Sequence, residues 1–330
     1  MIKDYPNYYK DFHCIAGDCT ETCCAGWEVD LDEDALYYYQ EIAPAPFGDV
    51  IRSHIKETPE GDYIFPLRDN GRCPFLNEDN LCDIIINLGE SRICRTCTEH
   101  PRFVVEVADY LQHDLSLSCP EAARLFFQDD LTFAVMREET ETPAYLTESY
   151  LDDEEFVTCL DCRDHCLTIL GDHSLALPER LAEMERYVLG GHTLPHETPE
   201  QLLSLLRDVD KLDDRWEHHM QAMRSSLAHY MDEACRKEYL AENASILERN
   251  FEKLSMYLAF RYFPDAYYDG SPIYGLRMVL RSMQLLSLLC FARWEETKSP
   301  LTNEDFKVVC HAYSKEVEHD DVNILAMKGL

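Results

Sequence analysis

Nine of the fifteen cysteines in the chain fall within its first 120 residues, where their grouping points to metal chemistry. They are Cys14, Cys19, Cys23, Cys24, Cys73, Cys82, Cys94, Cys97 and Cys119. The sequence opens without the apolar segment of a signal peptide, so we expect a cytoplasmic protein whose thiols stay reduced. Clustered reduced thiols indicate metal ligation or catalysis, and the odd total argues against a complete disulfide framework.

The spacing of these thiols leaves the metal open. Soft thiolates select zinc, copper(I) or iron–sulfur centres, and a closed zinc site and a four-iron cluster both take four cysteines. Nine cysteines suffice for two sites with one left over, or for one site plus structural thiols. Side chains of neighbours such as Cys23 and Cys24 point to opposite faces of an extended segment. The pair therefore serves two centres, or combines one ligand with one packed thiol.

Two side chains that follow Cys97 are candidates for supporting a metal centre. His100 and Arg102 lie close to the proposed ligands in sequence and could hold them through hydrogen bonds. A tight turn is the alternative interpretation of this segment. His192 and His196 have a spacing that suits a metal, but the surrounding glycine and proline indicate an ordinary loop.

The remaining cysteines are interpreted as packed core residues. Cys159, Cys162 and Cys166 follow the spacing i, i+3, i+7 on a predicted helix, which puts them on one face. A free cysteine behaves as a small buried hydrophobe. The same interpretation applies to three cysteines isolated within helical patterns, namely Cys235, Cys290 and Cys310.

The chain that positions these side chains has two halves with different sequence patterns. Residues 1–120 are rich in turn signals and contain few regular elements. The sequence there predicts a helix over 30–42 with Asp30 or Asp32 as its N-cap, a short strand over 62–67, and a hairpin of 103–107 and 110–118. A segment with so little periodic core needs a staple, which metal ligation supplies.

From Pro120, which suits the first position of a helix, the pattern becomes helical. Helices are predicted at about 153–170, 177–189, 199–209, 213–235, 237–263, 272–296 and 303–317. The sequence thus predicts a mainly α protein. Residues 1–120 form an irregular cysteine-rich metal-binding domain with little β structure, and residues 121–330 form an all-α domain.

The charge balance excludes one class of partner. The chain has 63 acidic and 30 basic residues, a net charge of −33. Such a surface repels phosphate, so nucleic acid is not expected as a partner, whereas a basic protein surface would be attracted. Solubility alone is the simpler explanation of the acidity.

The longest apolar stretch, near 285–292, is too short to span a membrane. The sequence also lacks G-x-G, P-loop and G-x-S-x-G motifs.

The order of the motifs resembles the flagellin lysine N-methylases. The resemblance rests on Cys19-x3-Cys23-Cys24-x2-Trp27, Cys73-Pro-Phe-Leu, Cys94-x2-Cys97 and Cys119-Pro-Glu-Ala-Ala, with looser helical matches that continue to Val317-Glu-His319. It implies transfer of methyl groups from S-adenosylmethionine to lysines of flagellin, with a four-iron cluster involved. It does not indicate which four cysteines hold the cluster, and it supplies no catalytic base.

Lysine methylation sets a physical requirement on such an acidic protein. The amine must lose a proton before it attacks a sulfonium, and its ordinary pKa is about 10.4. Surrounding carboxylates recruit the lysine but raise its pKa, whereas an apolar, tyrosine-lined channel near the metal would lower it. The alternatives are a non-enzymatic cysteine-rich metal-binding or redox-sensing protein with a helical interaction domain, and a zinc-stapled adaptor. The long second domain favours the enzyme.

Overall fold

The structure is a computed structural model that describes residues 1–143, 145–195, 197–206 and 215–330. Helices predominate in this part of the chain, which confirms the prediction of a mainly α fold. The strands are β1 (Ile2–Pro6), β2 (Val29–Asp30), β3 (Lys56–Glu57), β4 (Tyr63–Phe65), β5 (Arg102–Val107), β6 (Tyr110–Leu115) and β7 (Val135–Glu139).

Short helices belong to the first half and long ones to the second. The first half contains α1 (Glu33–Tyr37), α2 (Phe47–His54), α3 (Asp83–Leu88) and α4 (Arg95–Glu99). The rest of the chain contains α5 (Pro120–Phe126), α6 (Glu154–Leu170), α7 (Leu177–Val188), α8 (Pro199–Leu205), α9 (Trp216–Met231), α10 (Glu233–Tyr262), α11 (Ala266–Asp269), α12 (Pro272–Thr297), α13 (Asn303–Tyr313) and α14 (Asp321–Lys328).

The larger sheet has the strand order β5-β6-β1-β7. The predicted hairpin is confirmed: β5 and β6 are antiparallel, and Val107 faces Tyr110 across the turn. The N-terminal strand β1 runs parallel to β6 and antiparallel to β7. Strand β7 contradicts the prediction that residues 121–330 are all α. It is an edge strand with little buried surface, so its sequence Val-Met-Arg-Glu-Glu has no apolar alternation to reveal it.

A small core forms under the cysteine-rich segment. The three-stranded sheet β2-β4-β3 packs there with Tyr39, Phe65 and Phe75, all buried. Helix α1 begins after Asp32, as predicted, because the Oδ1 of Asp32 accepts the backbone N–H of Ala35 at 3.0 Å. The Oδ2 of Asp32 also accepts the backbone N–H of Arg95 at 2.6 Å, which fastens α4 to α1.

The second half is a helical bundle built around α10 and α12. By length and composition α12 is apolar enough to cross a membrane, but 72% of its most apolar window is buried inside the protein. A helix that is apolar all round is the expected centre of a bundle. Leu115 of β6 belongs to the same core, together with Tyr8, Phe12 and Leu117 from the segments that follow β1 and β6, so the end of the sheet packs directly on the helices. The division at residue 120 stays a prediction.

A buried ionic network fastens the sheet to the bundle. The Asp4 carboxylate accepts hydrogen bonds from Arg137 at 2.7 and 2.8 Å, from Arg163 at 2.8 Å and from the Tyr110 hydroxyl at 2.9 Å. The Arg163 guanidinium also donates to the side-chain carbonyl of Gln112. Because Arg163 belongs to α6 and the other four residues to strands, the network fixes the position of β6 against the helices.

Candidate functional site

The structure divides the nine N-terminal cysteines into two groups that meet at Cys23-Cys24. We call the first the outer thiol group; it consists of Cys14, Cys19, Cys23 and Cys119. Burial raises the pKa of Cys119 to about 11, and the nearby Cys19 and Cys14 thiols raise it further. The pKa of Cys23 is raised by its hydrogen bond with Cys24 and by burial, with contributions from Cys14 and Cys119.

The second group, called here the inner thiol group, consists of Cys24, Cys73, Cys82, Cys94 and Cys97. The backbone N–H of Cys73 donates to the carbonyl of Cys24 at 2.8 Å. Burial raises the pKa of Cys73 to about 11, with contributions from the Cys24, Cys82 and Cys94 thiols. A hydrogen bond shared with Cys97 lowers the pKa of Cys94, as expected for two thiols that share one proton.

These groups fit an iron–sulfur cluster by donor type. All fifteen cysteines are free thiols. Within the described ranges, no three cysteine, histidine, aspartate or glutamate side chains converge on one ion. A four-iron cluster takes one thiol at each iron, so its ligands surround a larger body than a single ion. The ligand role of the nine cysteines stays a prediction, and so does the choice between cluster and zinc.

Other predicted candidates fall outside these groups. Cys159 and Cys166 are buried, Cys162 packs partly buried against the main core, and Cys290 and Cys310 are buried in the bundle. The packing interpretation is confirmed for these five. Cys235 is also partly buried against that core. Of the two histidines that the sequence assigns to an ordinary loop, His192 and His196, the second lies outside the described residues.

A row of aromatic rings leads from the outer thiol group into the protein. The indole N–H of Trp27 donates to the carbonyl of Cys23 at 2.7 Å. The Trp27 ring lies 5.4 Å from the His100 ring and 5.6 Å from the His319 ring, measured between centroids. His319 in turn stacks on Phe103 at 5.2 Å. The sequence places these residues far apart, and the ring contacts bring them together beside the cysteines.

Both histidines of this row are neutral. Burial lowers the pKa of His100 to about 4, and the nearby Lys315 and Arg102 lower it further. Burial and the Arg261 charge lower the pKa of His319 to about 3. Arg102, the other predicted supporting residue, lies with its guanidinium over the Phe12 ring. The supporting roles of His100 and Arg102 stay predictions.

His319 borders a pocket of about 340 Å³. Its walls combine aromatic rings with carboxyl groups. The lining residues that matter here are Phe103, Asp114, Arg261, Tyr262, Asp265, Glu318 and His319. The sequence predicts a tyrosine-lined channel near the metal but does not identify the carboxyl groups of this pocket as site residues. One sequence feature points to Asp114: Gln112 and Asp114 lie on the same face of the predicted hairpin, and polar residues are unexpected there because a buried face should be apolar.

One carboxylate of the pocket is fully engaged. Glu318 accepts the hydroxyl of Tyr262 at 2.9 Å and that of Tyr257 at 3.2 Å. It also pairs with Arg261 at 3.5 Å. The Arg261 guanidinium lies over the Phe103 ring, which adds a cation–π contact. Arg261 and Glu318 therefore form a neutral, rigid wall.

The other buried carboxyl group, Asp114, is only half engaged. Its Oδ1 accepts the backbone N–H of Leu115 at 2.8 Å. Its Oδ2 is buried and makes no well-oriented hydrogen bond among the described residues, and the Tyr8 hydroxyl close to it is unsatisfied as well. Burial raises the pKa of Asp114 to about 8, although the Arg261 charge opposes this shift. Asp114 is therefore largely protonated at neutral pH.

The fold and the site define a cysteine-rich helical protein with an acidic, aromatic pocket. Residues 193–330 match the model of a family described as the FliB lysine N-methylase C-terminal domain. This match confirms the resemblance to the flagellin lysine N-methylases that the motifs indicate. Most of the residues that line the pocket lie inside the matched segment, among them Arg261, Glu318 and His319.

Curated relatives agree with this family. The chain is 28% identical over 129 residues to a protein named Lysine-N-methylase from Salmonella choleraesuis (strain SC-B67), and equally to one of the same name from Salmonella typhimurium. It is also 28% identical over 129 residues to the flagellar biosynthetic protein FliU of Salmonella muenchen. The shared segment is 38% of this chain, 32% of each methylase and 76% of FliU. No solved structure matches the chain.

Proposed function

We propose that this protein is a protein-lysine N-methyltransferase that moves methyl groups from S-adenosylmethionine to lysine side chains of flagellin. The observation that carries the proposal is that the segment similar to the FliB lysine N-methylase C-terminal domain supplies one wall of an acidic, aromatic pocket. Flagellin is proposed as the substrate because one relative is named a flagellar biosynthetic protein, and lysine is proposed as the target because the matched family is described as a lysine N-methylase.

The pocket chemistry suits a cationic side chain. Aromatic faces such as Phe103 and Tyr262 attract ammonium and sulfonium groups, and so do carboxylates. Removing water from the pocket lowers the pKa of a lysine that enters it, which favours the nucleophilic amine. The net charge of −33 would draw basic protein surfaces toward the molecule and keep nucleic acid away. We propose a cytoplasmic location with no membrane partner.

The proposed metal cofactor is a four-iron, four-sulfur cluster, with zinc as the alternative. Four thiols of the outer or the inner thiol group would hold it, and the outer group lies next to the aromatic row. When bound, the group would supply redox chemistry if it is a cluster and a structural staple in either case. In this proposal the protein itself positions the Trp27 and His100 rings between those thiols and the pocket.

The test uses protein purified and reconstituted without oxygen. Iron and sulfide content are measured, S-adenosylmethionine binding is followed by calorimetry, and flagellin is incubated with labelled cofactor and mapped by mass spectrometry. Label on lysine supports the proposal. Metal-loaded protein that neither binds S-adenosylmethionine nor labels flagellin would favour the non-enzymatic metal-binding or redox-sensing protein.

A further inference from the structure

Three buried polar side chains project from the larger sheet toward the helices, and they differ in how they are satisfied. Asp4, Gln112 and Asp114 are all almost fully buried. Asp4 faces Gln112 across the parallel pair, and Gln112 and Asp114 share a face because they are two residues apart. Asp4 is fully hydrogen-bonded in the ionic network, and Gln112 donates to the carbonyl of Phe260 at 2.9 Å.

Asp114 stands apart from the other two. Its Oδ2 makes no well-oriented hydrogen bond among the described residues, although the Tyr8 hydroxyl lies close enough to lower the pKa of Asp114, and the residue lines the pocket. A buried carboxyl oxygen without a partner is costly, and in native proteins such a group calls for a specific explanation. The sheet holds Asp114 firmly in place, since its neighbour in register on β5 is Phe103. A ligand that donates a hydrogen bond from the pocket side would satisfy it.

The groups around Asp114 leave room for one more positive charge. Tyr8 approaches from the segment after β1, and Arg261 and Tyr257 from α10. Glu318 is the last residue of a π-helix, Ser314–Glu318, that precedes α14. With Asp114 protonated, Glu318 is neutralised by Arg261, and Asp265 of the pocket lining is paired with Lys328. Ionisation of Asp114 adds a negative charge without a partner, which an ammonium ion would balance. The volume of about 340 Å³ is at the small end for ligand sites and suits a single side chain.

We propose that this pocket receives the substrate's lysine side chain and that Asp114 takes the proton from its ammonium group. This inference rests on the proposed lysine methylation. As the lysine enters, Asp114 releases its proton to solvent and pairs with the ammonium ion. The ammonium then gives one proton to Asp114. The amine lone pair forms the new N–C bond, the S–C bond breaks with its electron pair going to sulfur, and the product leaves as a methylated ammonium ion. Asp114 keeps the proton until the next lysine enters.

The acidity of Asp114 supports the assignment. Burial raises its pKa to about 8, which is far nearer to the value of about 10.4 for lysine than the pKa of an ordinary carboxyl group. Proton transfer is easiest when donor and acceptor are matched in this way. Arg261 lowers the pKa of Asp114 and Glu318 raises it, so both residues tune the acceptor.

The first experiment compares Asp114→Asn with Asp109→Asn, a matched exchange in the turn of the same hairpin. Asn retains an acceptor for the Leu115 N–H but cannot take up a proton. We expect Asp114→Asn to keep its iron content and its affinity for S-adenosylmethionine. Its kcat for flagellin should fall about 100-fold or more with a smaller change in KM. The rise of wild-type kcat/KM toward pH 8 should disappear, because kcat/KM reports the pKa of the free enzyme, whereas Asp109→Asn should behave like the wild type.

The second experiment needs no variant and does not depend on flagellin. The wild-type, metal-loaded protein is titrated with n-butylammonium chloride at pH 7 in two buffers of different ionisation enthalpy. We expect binding coupled to the release of about one proton for each ammonium ion. Binding without proton release, or no binding at all, overturns the assignment of Asp114.

The two experiments separate this inference from the proposed function. A wild-type enzyme that methylates flagellin while Asp114→Asn retains its rate and pH profile contradicts the inference alone. A wild-type enzyme that binds n-butylammonium with proton release but labels no lysine contradicts the proposed methylation and, with it, the catalytic role of Asp114.

Discussion

Asp114→Asn should stabilise the free protein at alkaline pH although it impairs the proposed reaction. The folded-state pKa of Asp114 is about 8, against an ordinary value of 3.8. A group whose pKa is raised by folding contributes its full stability below the unfolded value and loses it as the pH rises through the folded value. The wild-type free energy of unfolding should therefore carry a downward contribution between about pH 4 and pH 8 that Asp114→Asn lacks.

The size of the effect follows from the shift. Each pKa unit corresponds to about 1.4 kcal/mol, so the free energies of the two proteins should diverge by up to ~1.4 kcal/mol per pH unit and level off above pH 8. The upper bound at that plateau is ~6 kcal/mol, and the typical cost of one unsatisfied buried group, ~1–3 kcal/mol, gives the lower end.

Denaturant unfolding of metal-loaded protein without oxygen, at one-unit steps from pH 5 to pH 9, measures this divergence. Asp109→Asn serves as the control and should track the wild type at every pH. If the wild type and Asp114→Asn differ by the same free energy across the whole range, Asp114 is ionised in the folded protein. Both the stability argument and the proton-acceptor role would then be refuted.

Two further predictions concern the thiols and the ionic network. Cys97→Ala should lower metal content and destabilise residues 1–120, whereas Cys162→Ala should leave metal content unchanged; elemental analysis decides, and equal losses from both would contradict the division between ligands and packed thiols. Arg163→Met should lower the free energy of unfolding by ~3–5 kcal/mol because Asp4 loses its fully buried cationic partner and keeps only the half-exposed Arg137; denaturant unfolding measures this, and a loss below about 1 kcal/mol would show that Arg137 alone satisfies Asp4.

Helix caps and the hairpin turn were predicted correctly because each depends on residues that are close together in the sequence. Asp32 caps α1 as expected, and Thr302 and Asp305 form the capping box that begins α13. The hairpin turns at Ala108, as the alternation of the flanking strands indicated. Such signals depend on residues a few positions apart, so the sequence displays them directly.

Long-range pairing could not be predicted in the same way. Strand β1 pairs with strands that begin more than a hundred residues later, and β7 has too little buried surface to show an apolar pattern. The pocket could not be predicted for the same reason: Asp114 and Glu318 are far apart in sequence and come together only because the sheet packs on α10. Nothing in the local sequence of Asp114 distinguishes it from an ordinary strand residue except its place on a buried face.

The conflict that the net charge poses for lysine methylation is reduced by the pocket. A charge of −33 favours capture of a lysine but also favours its protonated form. In the pocket the Glu318 carboxylate is neutralised by Arg261 and accepts hydrogen bonds from two tyrosine hydroxyls. Asp265 is paired with Lys328, and Asp114 is neutral until a cation arrives. The long-range attraction between the acidic surface and a substrate lysine would thus act in the solvent outside the pocket, where salt at 0.1 M screens charges over about 10 Å. In the proposed reaction, deprotonation occurs inside, where a single matched acceptor controls it.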